Sequence, residues 1–211
     1  MPARRIPLWI KVAYTVWLAV WIPTYWREYG FLNFLWFCDI ANFVLAAALW
    51  RESPLLLSWQ TVSVLLVQVL WVVDFILHVT IDFGPYATGY MFDKEISLLA
   101  RGLSFFHLVM PVLLLWAVRR IGYDRRAFWA QTITAQLVLP LTWLVTQEGY
   151  WKLKNLNWVW GPFDEEQHWM PPVAFLCVTM VGYPLILYLP THLFLRWWSR
   201  RGSVDTPGAA R

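Results

Sequence analysis

Charge is scarce in this chain. Lys, Arg, Asp and Glu make up 14% of its 211 residues, against about 25% in ordinary soluble domains. The chain also has only two cysteines, Cys38 and Cys177. They fix no disulfide pairing, and no metal-ligand motif accompanies them. There is no internal repeat and no separate soluble domain. The only low-complexity stretch is a short tail, Gly202 to Arg211, expected to be flexible. These absences exclude a charged, solvated fold and a disulfide scaffold.

What the chain has instead is long apolar runs divided by short charged connectors, with 59% hydrophobic residues and a mean hydropathy of +0.48. In hydrocarbon every backbone amide must bond within its own element, and about 20 apolar residues of helix cross the core. The expected fold is therefore an all-α, polytopic transmembrane helix bundle forming a single domain over residues 1–201. Six spans are expected near Leu8 to Trp26, Phe31 to Trp50, Leu55 to His78, Ile96 to Val118, Ala127 to Thr146 and Val173 to Arg196. The first follows Arg4 and Arg5 as a signal peptide would. It carries Lys11, lacks a small-residue cleavage motif and runs into Pro23 and Trp26, so it is read as an uncleaved span. Trp26, Trp50, Trp59, Trp151, Trp169 and Trp197 lie near the ends of the runs, where amphipathic rings favour the headgroup layer.

The basic residues orient the bundle. Arg4, Arg5, Arg51, Arg119, Arg120, Arg125, Arg126, Arg196, Arg200, Arg201 and Arg211 fall on one side, and Arg27, Lys94, Lys152 and Lys154 on the other. Eleven against four places both termini in the cytoplasm and the chain in a bacterial inner membrane as a multi-pass protein. The net charge of +4 is then explained by topology and calls for no nucleic acid; membrane lipids are the expected partners. Two connectors, Val79 to Glu95 and Gln147 to Pro172, fall on the outer side and are too long for simple turns. The second carries Leu153, Leu156, Trp158, Val159, Trp160 and Phe163. It reads either as an interfacial aromatic loop without a binding role, or as a cap on the membrane or folded back into the bundle.

Five ionisable residues lie inside the runs, all in the outer half: Asp39, Asp74, His78, Arg101 and His107. A charge at a helix centre costs about 2.5 to 3.5 kcal/mol on insertion scales, so such groups face the bundle interior, pair up or mark a pathway. Asp74 and His78 share a helix face, a spacing that lets a carboxylate orient an imidazole. The structural alternative has Asp39 and Asp74 neutralising Arg101 in one buried network, with His78 at the water boundary. A metal would need a further ligand such as His107 or His168, and none is expected. His107 precedes Pro111 by one turn, so its carbonyl is the one freed by the missing proline amide, and a kink is expected beside the imidazole. A thiolate at Cys38 generated by His107 would be an acyl-transfer nucleophile; otherwise Cys38 is a small buried hydrophobe. Gln60, Gln68, Gln131, Gln136 and Asn42 read as interhelical hydrogen-bonding groups, and His192 as interfacial.

The strings YWREYGFLNFLWFCDIANFVLAAALW, RGLSFFHLVMPVLLLWAVRRIGYDRRAFW, NLNWVWG, and WMPP followed by LYLPTHLFLR together resemble a family of bacterial inner-membrane proteins described only as membrane-associated. That resemblance spans nearly the whole chain and implies the multi-span architecture without an activity. More remotely, FLWFCDIA and the histidine of FFHLVMP are similar to the Leu-His-Leu-Cys-Asp helix and later histidine of YwaF-like proteins and their intramembrane acyltransferase relatives. The resemblance implies Cys38 and His107 as the reactive pair; Trp36 stands where that motif has its first histidine. The expected function is an intramembrane enzyme acting on a lipid or acyl chain in an outward-facing polar pocket, with His107 as base, Cys38 as nucleophile and Arg101 on an anionic head group. The alternatives are a proton-linked solute transport or binding protein and a structural subunit. No cofactor is named by these residues.

Overall fold

A computed structural model describes residues 5–84, 87–149, 154–163 and 165–204. The molecule is 78% helix, with no strand among the described residues. Trp151, Lys152, Leu153, Asp164, Arg4, Arg211 and most of the 202–211 tail lie outside the described residues. Helix α1 runs Leu8–Tyr29 and stops at Gly30, whose φ of 81° suits a residue without a side chain. A 3-10 turn, Phe31–Leu35, leads to Trp36 in extended geometry, and α2 spans Phe37–Arg51. Ser53 caps α3, Pro54–Ile81, by accepting from the Leu56 amide, with Pro54 in the first turn where its missing N–H costs nothing. Then follow α4, Leu98–Leu103, α5, Phe106–Ile121, and α6, Ala127–Val145. The last helix is α7, Pro172–Gly182, joined through a π-helical stretch, Tyr183–Tyr188, to α8, Leu189–Val204.

Four helical segments are long and apolar enough to cross a membrane: Pro54–Ile81, Leu98–Ile121, Ala127–Val145 and Pro172–Arg201. Their outer faces show Val73, Ile76, Val112, Leu137 and Ile186 uncovered, while the inward residues Leu57, Leu114, Ala135, Leu139 and Leu195 are fully buried. Apolar on both faces, these helices belong to a membrane protein. Helix α3 stands at the centre, packed against α2, α5, α6, the π stretch and α8.

The expected second span, 31–50, is broken. The 3-10 turn Phe31–Leu35 and the extended Trp36 occupy its first part, and the 15 residues of α2 rise only about 22 Å, short of a hydrocarbon core of about 30 Å. The fourth is also divided, at Ser104 and Phe105, where backbone bonds tighten to the three-residue type. The break falls three residues before His107. In the last span the π stretch has a specific cause. Pro184 has no amide to give the Met180 carbonyl, and Gln136 Nε2 from α6 donates to that carbonyl instead, at 2.8 Å.

Candidate functional site

The start of α2 is held by two asparagines from outside it. Asn33 Nδ2 donates to Asp39 Oδ2 at 2.7 Å, and Cys38 Sγ donates to Asp39 Oδ1 at 3.8 Å. Asp39 is the third residue of the helix and 2% exposed, so its carboxylate is buried in the first turn, at the end where the helix dipole favours negative charge. Asn157 brackets Trp36 from the far side. Its Oδ1 accepts from Phe37 N at 3.0 Å, and its Nδ2 donates to Leu35 O at 2.8 Å. The Asn157 carbonyl in turn accepts from Tyr183 OH at 2.7 Å.

Asn157 reaches this position because its loop folds into the bundle. Leu156 and Val159 are fully buried, and Trp160 Nε1 donates to Thr146 Oγ1 at 2.9 Å. Asn155, with φ of 44°, closes the loop by donating from Nδ2 to Gly161 O and Phe163 O and accepting from Trp160 N. Glycine is required at 161, since a Cβ there would lie 2.0 Å from the Glu165 carbonyl oxygen. The segment thus folds back into the bundle at the end where α2 begins, as a plug.

A second polar group faces this helix start from α1, α3, α4 and the loop that follows α3. Tyr25 and Ser104 share a hydrogen bond between hydroxyls, and Ser104 Oγ also bonds Ala100 O at 3.0 Å. His107 Nδ1 bonds the Ser104 carbonyl at 2.8 Å, which makes Nδ1 the protonated nitrogen and leaves Nε2 as the acceptor. The ring is stacked between Trp71, centroid distance 4.6 Å, and Phe106, 4.0 Å. Tyr90, on the 3-10 turn Gly89–Met91, lies within electrostatic reach of Cys38, Tyr29, Ser104 and Trp71, and burial raises its phenol far above the ordinary value, keeping it a neutral hydroxyl. Among the described residues, Tyr29 OH, Trp71 Nε1 and Arg101 Nε are buried here without a hydrogen-bond partner.

The expected charge network is not formed. Among the described residues no ion pair joins Asp39, Asp74 and Arg101. Asp74 Oδ2 accepts from Ala87 N, Thr88 N and Thr88 Oγ1 at 2.8 to 3.0 Å and so fixes the loop after α3, while Arg101 Nη1 donates to Met91 O at 3.3 Å. Backbone groups of the loop above α3 meet these side chains before they can meet one another. His78 is not oriented by Asp74 either; its Nδ1 is 3.6 Å from Asp82 Oδ1 and its ring packs on Phe92. No hydrogen bond joins Cys38 to His107, because the thiol is turned to Asp39 and the imidazole to Ser104. Both cysteines are free, Cys177 on the exposed face of α7. Among the described residues no group of three or more His, Cys, Asp and Glu converges.

The sequence sets Asp39, Asp74, His78, Arg101 and His107 at a shared depth, with Cys38 beside Asp39, but does not mark Asn33, Tyr25, Tyr90 and Ser104 as their neighbours. Asn33, six residues before Asp39 in an apolar stretch, was the one local sign. The arrangement can present a thiol beside a carboxylate, hold neutral hydroxyls near both, and offer guanidinium N–H groups beside them. No family model, no curated protein and no solved structure matches this chain.

Proposed function

We propose that the chain is a multi-pass protein of a bacterial inner membrane, with six passes and cytoplasmic termini, and that its outer polar cluster is an acyl-transfer centre working on a lipid ester. The two passes beyond the four apolar helices are α1 and α2. At one end of α1, Glu28 accepts from Ser97 N and Oγ at the cap of α4; at the other, Arg5 O accepts from Arg120 Nε near the end of α5. Helix α1 therefore reaches as far as the Leu98–Ile121 segment at both rims, and the 3-10 turn Phe31–Leu35 and α2 together return from Asn33 to Glu52, which bonds Ile6 N and makes up the length that α2 alone lacks.

The observation that carries the chemical reading is the Cys38 thiol donating to the buried Asp39 carboxylate in the first turn of α2. In the first step the Cys38 sulfur attacks the ester carbonyl carbon and its proton passes to Asp39. The carbon–oxygen bond breaks, and the lipid alcohol leaves with that proton. In the second step an acceptor hydroxyl oxygen attacks the carbonyl carbon of the Cys38 thioester, the carbon–sulfur bond breaks to leave a new ester, and the hydroxyl proton passes through Asp39 to the Cys38 sulfur. The amide-rich start of α2 stabilises the negative charge that develops. His107 Nε2 is the ring nitrogen left for proton transfer, and Arg101 supplies N–H groups for an anionic head group. The test is a clickable phospholipid presented to the protein in vesicles. A hydroxylamine-sensitive adduct on Cys38, lost in Cys38→Ala and kept in Cys177→Ser, is the expected result; absence of any adduct on the folded protein overturns the reading.

A second reading, a proton or solute path, is favoured by a different feature. Buried Ser58, Gln60, Thr61 and Gln68 follow α3 toward the half-buried Asp74, and among the described residues neither amide atom of Gln60 has a partner. A pH-sensitive dye in proteoliposomes tests it: flux that Gln60→Leu abolishes supports a path, and tight vesicles dismiss it.

A further inference from the structure

We propose that Asn157 is the positioning residue of the Cys38 thiol: from the plug loop it caps α2 and so fixes the turn that sets the sulfur on Asp39. The assignment deepens the acyl-transfer reading and rests on it for the reaction, but not for the placing of the thiol. The need arises in α2 itself. Trp36 holds the N-cap position and makes no capping bond, since an indole carries a donor and no acceptor. Asn, Asp, Ser and Thr are the residues that cap. Here the cap comes from an asparagine 120 residues from the amide it accepts.

The fit is specific. One primary amide meets the backbone on either side of the extended Trp36: Oδ1 accepts from Phe37 N at 3.0 Å, and Nδ2 donates to Leu35 O at 2.8 Å. These partners fix the orientation of the amide, because turning it over would set oxygen against carbonyl and N–H against N–H. Nδ2 also reaches Thr142 Oγ1 of α6 at 3.4 Å. The Asn157 carbonyl accepts from Tyr183 OH, and the Tyr183 ring lies 6.1 Å from that of Phe37. One buried residue thus ties α6 and the last helix to the start of α2, where Phe37, Cys38 and Asp39 are the first three residues.

The loop takes up strain to deliver this side chain. Asn155, Asn157 and Trp158 have φ of 44°, 51° and 53°, so three residues with side chains stand in the left-handed region within four positions. Asparagine tolerates that region through local bonding, whereas a tryptophan there is held by its surroundings. Such conformations persist where the fold over-determines them, and they gather at functional sites. The loop closes through the Asn155 side chain and is anchored by buried Leu156, Val159 and Trp160. None of these uses the Asn157 amide, which serves α2.

The S–H stretching band of Cys38 tests the assignment, read by infrared absorption on the full chain in detergent with Cys177→Ser. Its frequency falls when the thiol donates a hydrogen bond, and a general loss of stability leaves it in place. Asp39→Leu supplies the frequency of the thiol without that acceptor. In Asn157→Ala the band should move most of the way to this value, while Asn157→Asp, which keeps an acceptor for Phe37 N, should hold it nearer the parent's. Where Cys38 forms an adduct with a clickable phospholipid, Asn157→Ala should slow it on the order of a hundredfold, as a misplacement of about 1 Å does. An unshifted band in folded Asn157→Ala overturns the proposal, and so does a parent band already at the Asp39→Leu frequency. Tyr183→Phe serves if Asn157→Ala does not fold. It releases only the Asn157 carbonyl and should broaden the band; a band as narrow as the parent's overturns the proposal. A parent that forms no lipid adduct, but whose band shifts in Asn157→Ala, fails the acyl-transfer reading and supports the positioning role.

Discussion

The imidazole of His107 gives its Nδ1 hydrogen to the Ser104 carbonyl, so one side of the ring serves the backbone at the break between α4 and α5. Asparagine can place an amide nitrogen where Nδ1 stands, whereas glutamine reaches the Nε2 position instead. His107→Asn should therefore keep the thermal midpoint near that of the parent, and His107→Gln should lower stability by about 1 kcal/mol, the net worth of one neutral hydrogen bond, as read by tryptophan fluorescence in detergent. If His107 also transfers protons, both variants should lose acyl adduct formation on Cys38; a fully active His107→Asn protein would reduce the residue to packing. Why the ionisable residues were legible and their partners were not is a matter of distance along the chain. Lipid penalises every charge, so Asp39, Asp74, Arg101 and His107 stand out in apolar runs. Asn157 and Phe37 are 120 residues apart, and Glu28 and Ser97 are 69 apart. No local pattern announces such pairs.

Elements show the same division. Apolar runs located the helices within a few residues, because only an internally bonded helix survives in hydrocarbon. The breaks at Trp36 and Ser104 were hidden, since neither residue is a proline, while Pro111, which suggested a kink, lies inside the regular part of α5. The π stretch was equally hidden, and the bond from Gln136 to the Met180 carbonyl makes it testable. Gln136→Leu should cost about 1 kcal/mol, within the range of interhelical hydrogen bonds in membranes. Pro184→Ala restores an amide for Met180, so in the double variant the cost of losing Gln136 should largely vanish; additive costs would disprove the linkage. A second element-level contact depends on pH. Lys11 Nζ lies 2.6 Å from Glu52 Oε1, which also accepts from Ile6 N, and these bonds hold the Glu52 carboxyl below its ordinary value of 4.5. A lowered folded value means the contribution is present above the ordinary glutamate range and disappears as pH falls through the folded value. The thermal midpoint of the parent should thus exceed that of Glu52→Gln at pH 7, and the gap should close as the pH is lowered below about 4. A gap that stays constant across that window would show that the carboxylate contributes nothing beyond the amide.

At the scale of the whole molecule, four helices satisfy length and apolarity, yet the ties at both ends of α1 place its tips level with Ser97 and Arg120. Two arrangements follow from these facts. If α1 and α2 cross fully, the exposed Arg27 at the end of α1 faces the same water as Glu165 on the plug loop, and Arg125 faces the other side with Arg51. If α1 and α2 form a hairpin that stops inside the layer, Arg27 never reaches outer water. Single cysteines introduced at these positions in a Cys38→Ala, Cys177→Ser background separate the two. An impermeant maleimide applied to intact spheroplasts should label Arg27→Cys and Glu165→Cys, and should label Arg51→Cys and Arg125→Cys only after lysis. Labelling of Glu165→Cys without Arg27→Cys would reduce the passes to four. Labelling of Arg125→Cys in intact cells would reverse the orientation, and with it the meaning of the arginine asymmetry, since eleven basic residues on the translocated side are what the positive-inside bias opposes.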